Sequence, residues 1–98
     1  MQEREIEQKL GLLVRRRGGL YFKFVSPQNP GVPDRIVITP EGRVIFVELK
    51  TEIGSLQRIQ KWTLGEMRKR NADVRVLKGW DAAKAFVEEV MPVEVQAP

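Results

Sequence analysis

The chain predicts an α/β domain, a mixed sheet flanked by helices in the order α-β-β-β-α-β-α. Three observations carry that prediction. Apolar residues recur at helical spacing in three separated stretches. Aromatic and β-branched runs fill the gaps between them. Proline- and glycine-bearing turns punctuate the boundaries. With 98 residues, the chain accommodates one modest core and not two. The domain is expected over residues 1–90, with a flexible tail over 91–98.

The first helix spans residues 2–17, because Ile6, Leu10, Leu13 and Val14 recur at three- and four-residue spacing before Gly18-Gly19. Leu20 to Val25 is aromatic and β-branched, hence a strand. Ser26 to Pro33 holds three prolines, an Asn and a Gly, and forms an irregular loop. Asp34–Thr39 and Arg43–Lys50 are strands two and three, joined by a hairpin turn at Pro40-Glu41-Gly42. Ser55–Arg70 is a second helix with Leu56, Ile59, Thr63 and Met67 on one face. Val74–Leu77 is a fourth strand, and Asp81–Val90 is a closing helix with Asp81 as its N-cap.

Composition narrows the chemistry. Charged residues make up 31% and hydrophobic ones 42%, an ordinary globular balance. Seventeen Lys/Arg against thirteen Asp/Glu give a net charge of +4, a mild bias toward polyanionic partners. There is no His and no Cys, which excludes imidazole bases, thiol nucleophiles, disulfides and zinc clusters. A bound metal would then be a hard cation held by oxygens, Mg²⁺ or Mn²⁺. No apolar run approaches the roughly 20 residues that span a bilayer, and the N-terminus does not read as a signal peptide. The expected location is the cytoplasm, of a bacterium or of a phage's host.

The candidate chemistry sits at strand ends. Residues two apart on a strand share a face, so Glu48 and Lys50 project together with Val44 and Phe46, while Val47 and Leu49 turn to the core. Glu-x-Lys alone is nonspecific. A second copy, Glu7-Gln8-Lys9, lies on a helix, where residues two apart point about 200° from one another. Asp34 adds weight: it and Glu48 are each seven residues from Glu41, so a hairpin centred there sets them side by side. Two adjacent carboxylates repel unless a cation joins them; the structural alternative is an Asp that caps the loop or pairs with Arg35. Glu3 and Glu7 fall on the apolar side of the first helix with Ile6 and Leu10. There a carboxylate needs a metal or a partner such as Lys50, although Glu3 is expected to fray into solvent. On the second helix Arg58, Lys61, Arg68 and Lys69 form a basic stripe suited to phosphates or simply to water. Gln60 lies on the apolar side, facing the polar strand ends. Trp62 borders the basic stripe, to stack on a base or a partner subunit, or to pack beneath the last helix. Lys23 is placed to reach a phosphate from the first strand.

Together these residues resemble the virus-type replication-repair nuclease domain, VRR-NUC, a branch of the PD-(D/E)xK nucleases. The resemblance covers roughly residues 3–80 and rests on Gly31-Val32-Pro33-Asp34-Arg35 and Phe46-Val47-Glu48-Leu49-Lys50. Ile6-Glu7, Lys23-Phe24 and a glutamine ten residues past Lys50, here Gln60, support it; Gln57 competes for that last role. Thr51-Glu52-Ile53-Gly54 departs from the Gly- and Pro-bearing link that often follows the third strand.

The resemblance implies a restriction-endonuclease-like αβββαβ core with an extra C-terminal helix. It also implies a metal-dependent DNA endonuclease acting on branched or junction DNA in replication, repair or recombination. Asp34, Glu48 and the Leu49 carbonyl would hold Mg²⁺ or Mn²⁺, with Glu7 completing a second position. Lys50 would orient water or stabilise the transition state, Gln60 would position Lys50 or the water, and Lys23, Arg58 and Lys61 would track the DNA backbone. A homodimer facing two strands of a four-way junction or flap is implied as well. The competing reading is a non-catalytic basic nucleic-acid-binding module. A plain protein-interaction domain is disfavoured, because no large apolar stripe is left over.

Overall fold

A computed structural model describes residues 1–93. The elements follow the expected order: α1 (Glu3–Arg16), β1 (Leu20–Lys23), β2 (Arg35–Ile38), β3 (Val44–Lys50), α2 (Arg58–Lys69), β4 (Val74–Lys78) and α3 (Gly79–Val90). The strands form one sheet in the order β1-β2-β3-β4. β1/β2 and β2/β3 pair antiparallel, while β3/β4 pair parallel through the α2 crossover. A hairpin needs only a tight turn, whereas a parallel pair needs a crossover long enough to hold a helix.

Side-chain parity assigns the two sheet faces. Val37, Ile45, Val47, Leu49 and Leu77 cluster with Ile6, Leu10 and Val14 of α1 and with Ala83, Phe86, Val87 and Val90 of α3. Most of one face of the sheet is therefore covered by α1 and α3. The opposite face carries Phe46 and Glu48 and is covered by α2 at its β3–β4 side, where Leu64 is fully buried. Two local features set how closely these layers meet. Gly11 of α1 leaves room for the Tyr21 ring, which would lie 2.9 Å from a Cβ placed there. Arg17 donates to the Met91 carbonyl at 2.9 Å and to Glu88 at 2.6 Å, tying the end of α1 to α3.

Several boundaries move, each for a local reason. β1 ends at Lys23, although Phe24 N–H still donates to the Asp34 carbonyl at 2.9 Å. α2 starts at Arg58, not Ser55: Gln57 is extended at φ −71°, ψ 159° and donates its N–H to the Gln60 side chain. α3 starts two residues earlier than expected. Its N-cap is Lys78, and Asp81 sits in the first turn, where its charge still suits the helix dipole. The earlier start rests on Gly79, which has φ +85° and presses against Glu52 so closely that a Cβ would lie 2.6 Å from its Cγ. Met91, the first residue of the expected tail, is buried in the core. The tail's residues 94–98 lie outside the described residues. Among the described residues, no helix is long and apolar enough to cross a membrane.

Candidate active site

The β2–β3 register pairs Arg35 with Val47 and Ile36 with Phe46. Carried one residue further, it sets Asp34 beside Glu48 at one end of the sheet. Pro33, fully buried, holds the backbone just before Asp34. α1 reaches this end from one face and α2 from the other, so four elements converge on it.

From α1 come Glu3 and Glu7. One carboxylate oxygen from each of Glu3, Glu7 and Asp34 lies within 4.8 Å of the others. Glu3 does not fray into solvent; it is half-buried within this cluster. Glu7 neither pairs with Lys50 nor stands alone: its Oε2 lies 2.8 Å from the Arg35 guanidinium. Arg35 also donates to the Tyr21 hydroxyl at 3.2 Å and to the Asp34 carbonyl at 2.8 Å, and the Tyr21 hydroxyl donates to the Glu7 carbonyl at 3.1 Å. Arg35 thus spends its charge on Glu7 and leaves the Asp34 carboxylate without a salt bridge. Asp34 Oδ1 is buried and has no hydrogen-bond partner among the described residues.

From β3 come Glu48 and Lys50. Glu48 is buried, at 4% exposure, rather than emerging at the sheet margin. Burial first, and then the charge of Asp34, push its carboxyl up to about 7. Burial is likewise the main cause that raises Asp34, reinforced by Glu7 and Glu3 and opposed by Arg35 and the Leu49 amide. Lys50 Nζ lies 3.6 Å from Glu48 Oε2. From α2, Gln60 Nε2 donates to the same Glu48 oxygen at 3.1 Å while its Oε1 accepts from Gln57 N–H at 2.9 Å. Both ends of the Gln60 amide are therefore committed, and Gln57 stays exposed at the helix start. Leu49 buries its side chain in the core beneath.

The basic residues are less concentrated than the α2 stripe implied. Arg68 donates to the Val74 carbonyl at 3.2 Å, and Lys69 pairs with Glu66 at 2.8 Å. Arg58 and Lys61 are exposed and pair with no acid among the described residues. Lys23 is exposed at the same end of the sheet, but it is in register with Arg35 and so lies on the face opposite α2. Sequence reasoning left Arg35 and Tyr21 out of the site. Strand parity carries the missing signal: Arg35 shares a face with the apolar Val37, where a charge must find a buried partner.

The arrangement suits a hard cation. It groups three carboxylates, Glu3, Glu7 and Asp34, with the buried Glu48 next to them but outside that cluster. It offers one buried oxygen without a partner among the described residues and no His or Cys ligand to favour a softer metal. Known proteins agree with the architecture. The VRR-NUC domain profile matches residues 5–81. A solved structure titled "VRR_NUC domain" superposes with a TM-score of 0.82 at 29% identity, covering 88% of this chain and 94% of that one. The protein named "Putative nuclease p44", of Acyrthosiphon pisum secondary endosymbiont phage 1, is 52% identical over 50 residues, 51% of this chain and 54% of its own length. The matched segment spans about half of that relative. With its fold and most of its length in agreement, the chain belongs to the VRR-NUC domain family.

Proposed function

We propose that this domain is a Mg²⁺- or Mn²⁺-dependent DNA endonuclease that cuts branched or junction DNA. The observation that carries the reading is the cluster of Glu3, Glu7 and Asp34 at one sheet end with Glu48 next to it, Asp34 Oδ1 having no partner among the described residues and the Glu48 carboxyl being pushed up to about 7. Such a cluster is costly without a cation and favourable with one.

Asp34 and Glu48 are the principal ligands, with the Leu49 carbonyl beside them and Glu7 and Glu3 at the α1 side. These residues would hold a divalent cation, whose chemistry when bound would be to polarise the scissile phosphate and acidify a water. The chain's own groups do the rest. Gln60 fixes the rotamer of Glu48, so the carboxylate is aimed before substrate arrives. Lys50, beside Glu48, is placed to donate to the attacking water or to a phosphate oxygen as negative charge builds. Arg35 holds Glu7 and neutralises it in part, which tunes how much negative charge the α1 side offers. Arg58 and Lys61 on one side of the sheet and Lys23 on the other follow the DNA backbone, giving strong salt dependence and little base selectivity. A homodimer would set two such sites against two strands of a junction. The phage nuclease relative is consistent with work on DNA in a cell's cytoplasm.

The test is a panel of labelled duplex, flap and four-way-junction DNA incubated with Mg²⁺, Mn²⁺ or EDTA. Asp34→Asn and Glu48→Gln are each expected to lower cleavage by at least about a hundredfold while DNA binding persists, the loss of a group that acts on the transition state. Cleavage that survives EDTA rejects the metal mechanism. DNA binding without cleavage under any metal would make the domain a binding module.

A further inference from the structure

Beside the carboxylates, the proline-rich loop and α2 enclose a depression of about 320 Å³ that the cleavage chemistry does not use. Its walls include Gln28, Asn29, Pro30, Val32, Ile59 and Trp62. Trp62 is 64% exposed and Ile59 40% exposed, so α2 leaves an indole face and an aliphatic side chain in solvent. Neither packs beneath α3; the other tryptophan, Trp80, takes a place against the core.

The depression is built into the fold. Gly31 has φ +90° and lies so close to α2 that a Cβ would stand 2.7 Å from the Ile59 carbonyl. Thr63 Oγ1 donates to the Pro30 carbonyl at 3.4 Å, and Asn29 is folded onto Ser26 by a 2.9 Å side-chain bond and a 3.0 Å backbone bond. The segments that form its walls also lead directly into the candidate active site. Val32 is two residues before Asp34, and Ile59 precedes Gln60, which grips Glu48.

Its chemistry fits one kind of occupant. An exposed indole offers a flat stacking surface, side-chain amides of Gln28 and Asn29 offer donors and acceptors at the rim, and no acid lines it. Arg58, one helical turn before Trp62, and the neighbouring Lys61, neither paired with an acid among the described residues, supply positive charge from the same helix. An aromatic platform bordered by cations recognises a nucleotide whose base is free to stack. A paired base inside a duplex cannot present its face in this way.

We propose that this depression is a subsite for one unpaired nucleobase of the substrate, stacked on Trp62, with its phosphates led toward Arg58 and Lys61. The subsite rests on the nuclease reading above and adds a reason for selecting branched over continuous DNA: a flap, or a branch point whose terminal pairs open, frees a nucleotide next to the cut to fill it.

The experiment uses the full chain with Trp80→Phe, leaving Trp62 as the reporting tryptophan, in EDTA so that nothing is cut. Titration with a short single-stranded oligothymidylate is expected to quench Trp62 emission, and blunt duplex of equal length to leave it nearly unchanged. Trp62→Ala is expected to weaken single-strand binding by about 5- to 150-fold, the range of one base–aromatic stack, with duplex binding within about twofold. Trp62→Phe should recover most of the loss. Because Trp62 is exposed, thermal melting of the variants should match the parent. Equal losses for single strand and duplex, no quenching, or quenching that follows protein concentration without DNA would overturn the proposal; the last outcome would mark a contact between copies. The readout is independent of catalysis, so an active Asp34→Asn variant would count against the metal site and leave the subsite standing.

Discussion

At the residue scale, Glu48 concentrates the tension in this molecule. It is buried, shares its end of the sheet with Asp34, and has Lys50 as its only cationic contact among the described residues. Without metal its carboxyl is pushed up to about 7, above the unfolded value of 4.5. The folded chain therefore holds a proton that the unfolded chain has already released. Stability must fall as pH rises between about 4.5 and 7, and level off above that window. Asp34, raised by the same burial, contributes with the same sign. Asp73, Glu66 and Glu88 are lowered by their arginine and lysine partners, so their contribution is lost as pH falls, in a separate and more acidic range. Urea denaturation in EDTA at about pH 5 and about pH 8 should show a loss on the order of 2 kcal/mol at the higher pH. Glu48→Gln should remove most of that difference, and Mg²⁺ should restore stability to the parent at pH 8 but not to the variant. A parent as stable at pH 8 as at pH 5 would show that Glu48 is not held in this state.

At the element scale, the hairpin and the loop before it do most of the positioning, and the hairpin was legible from sequence. Alternation in β3 and a turn centred at Glu41 were enough to set Asp34 beside Glu48, because a one-residue slip would turn every apolar side chain of the strand to the wrong face. Helix starts were harder to read. The beginning of α3 depends on Gly79 meeting Glu52, and that of α2 on Gln60 turning back to Gln57; both are contacts invisible to periodicity. Glu3 was misplaced for a similar reason: whether a terminal turn frays depends on what it meets, here Asp34 and Glu7. The loop offers a direct comparison of two glycines. Gly31 and Gly42 have nearly equal φ, +90° and +91°, but a Cβ at Gly31 would strike α2 while one at Gly42 would meet nothing within 4 Å. Gly42→Ala should cost about 1 kcal/mol for conformation alone. Gly31→Ala should cost about 2–4 kcal/mol, because the loop must also lift from Ile59. Equal costs by urea denaturation would mean that the loop does not rest on α2 in solution.

At the scale of the whole molecule, the sheet is covered unevenly. α1 and α3 cover most of one face, whereas α2 shields only the β3–β4 side of the other. Parity and register gather Leu20, Ile38 and Val44 in one row and Phe22, Ile36 and Phe46 in the next on that second face. Leu20, Phe22 and Val44 are 52%, 49% and 48% exposed. The sequence predicts no large apolar stripe to be left over; this surplus lies across strands, where no single segment reveals it. A contiguous apolar patch on a small domain marks an interface. A two-fold contact between two such faces would bury the patch against its own copy, as a junction-cutting homodimer requires. Light scattering on the purified protein should then report twice the chain mass of 11.3 kDa at micromolar concentration. Phe22→Lys should give a folded monomer, since the side chain is half exposed and lies outside the sealed core. That variant should lose paired incision of a four-way junction while still nicking a simple flap. A parent that remains monomeric at about 100 µM would remove the dimer and leave the carboxylate chemistry untouched, and a Phe22→Lys dimer would move the interface to another face.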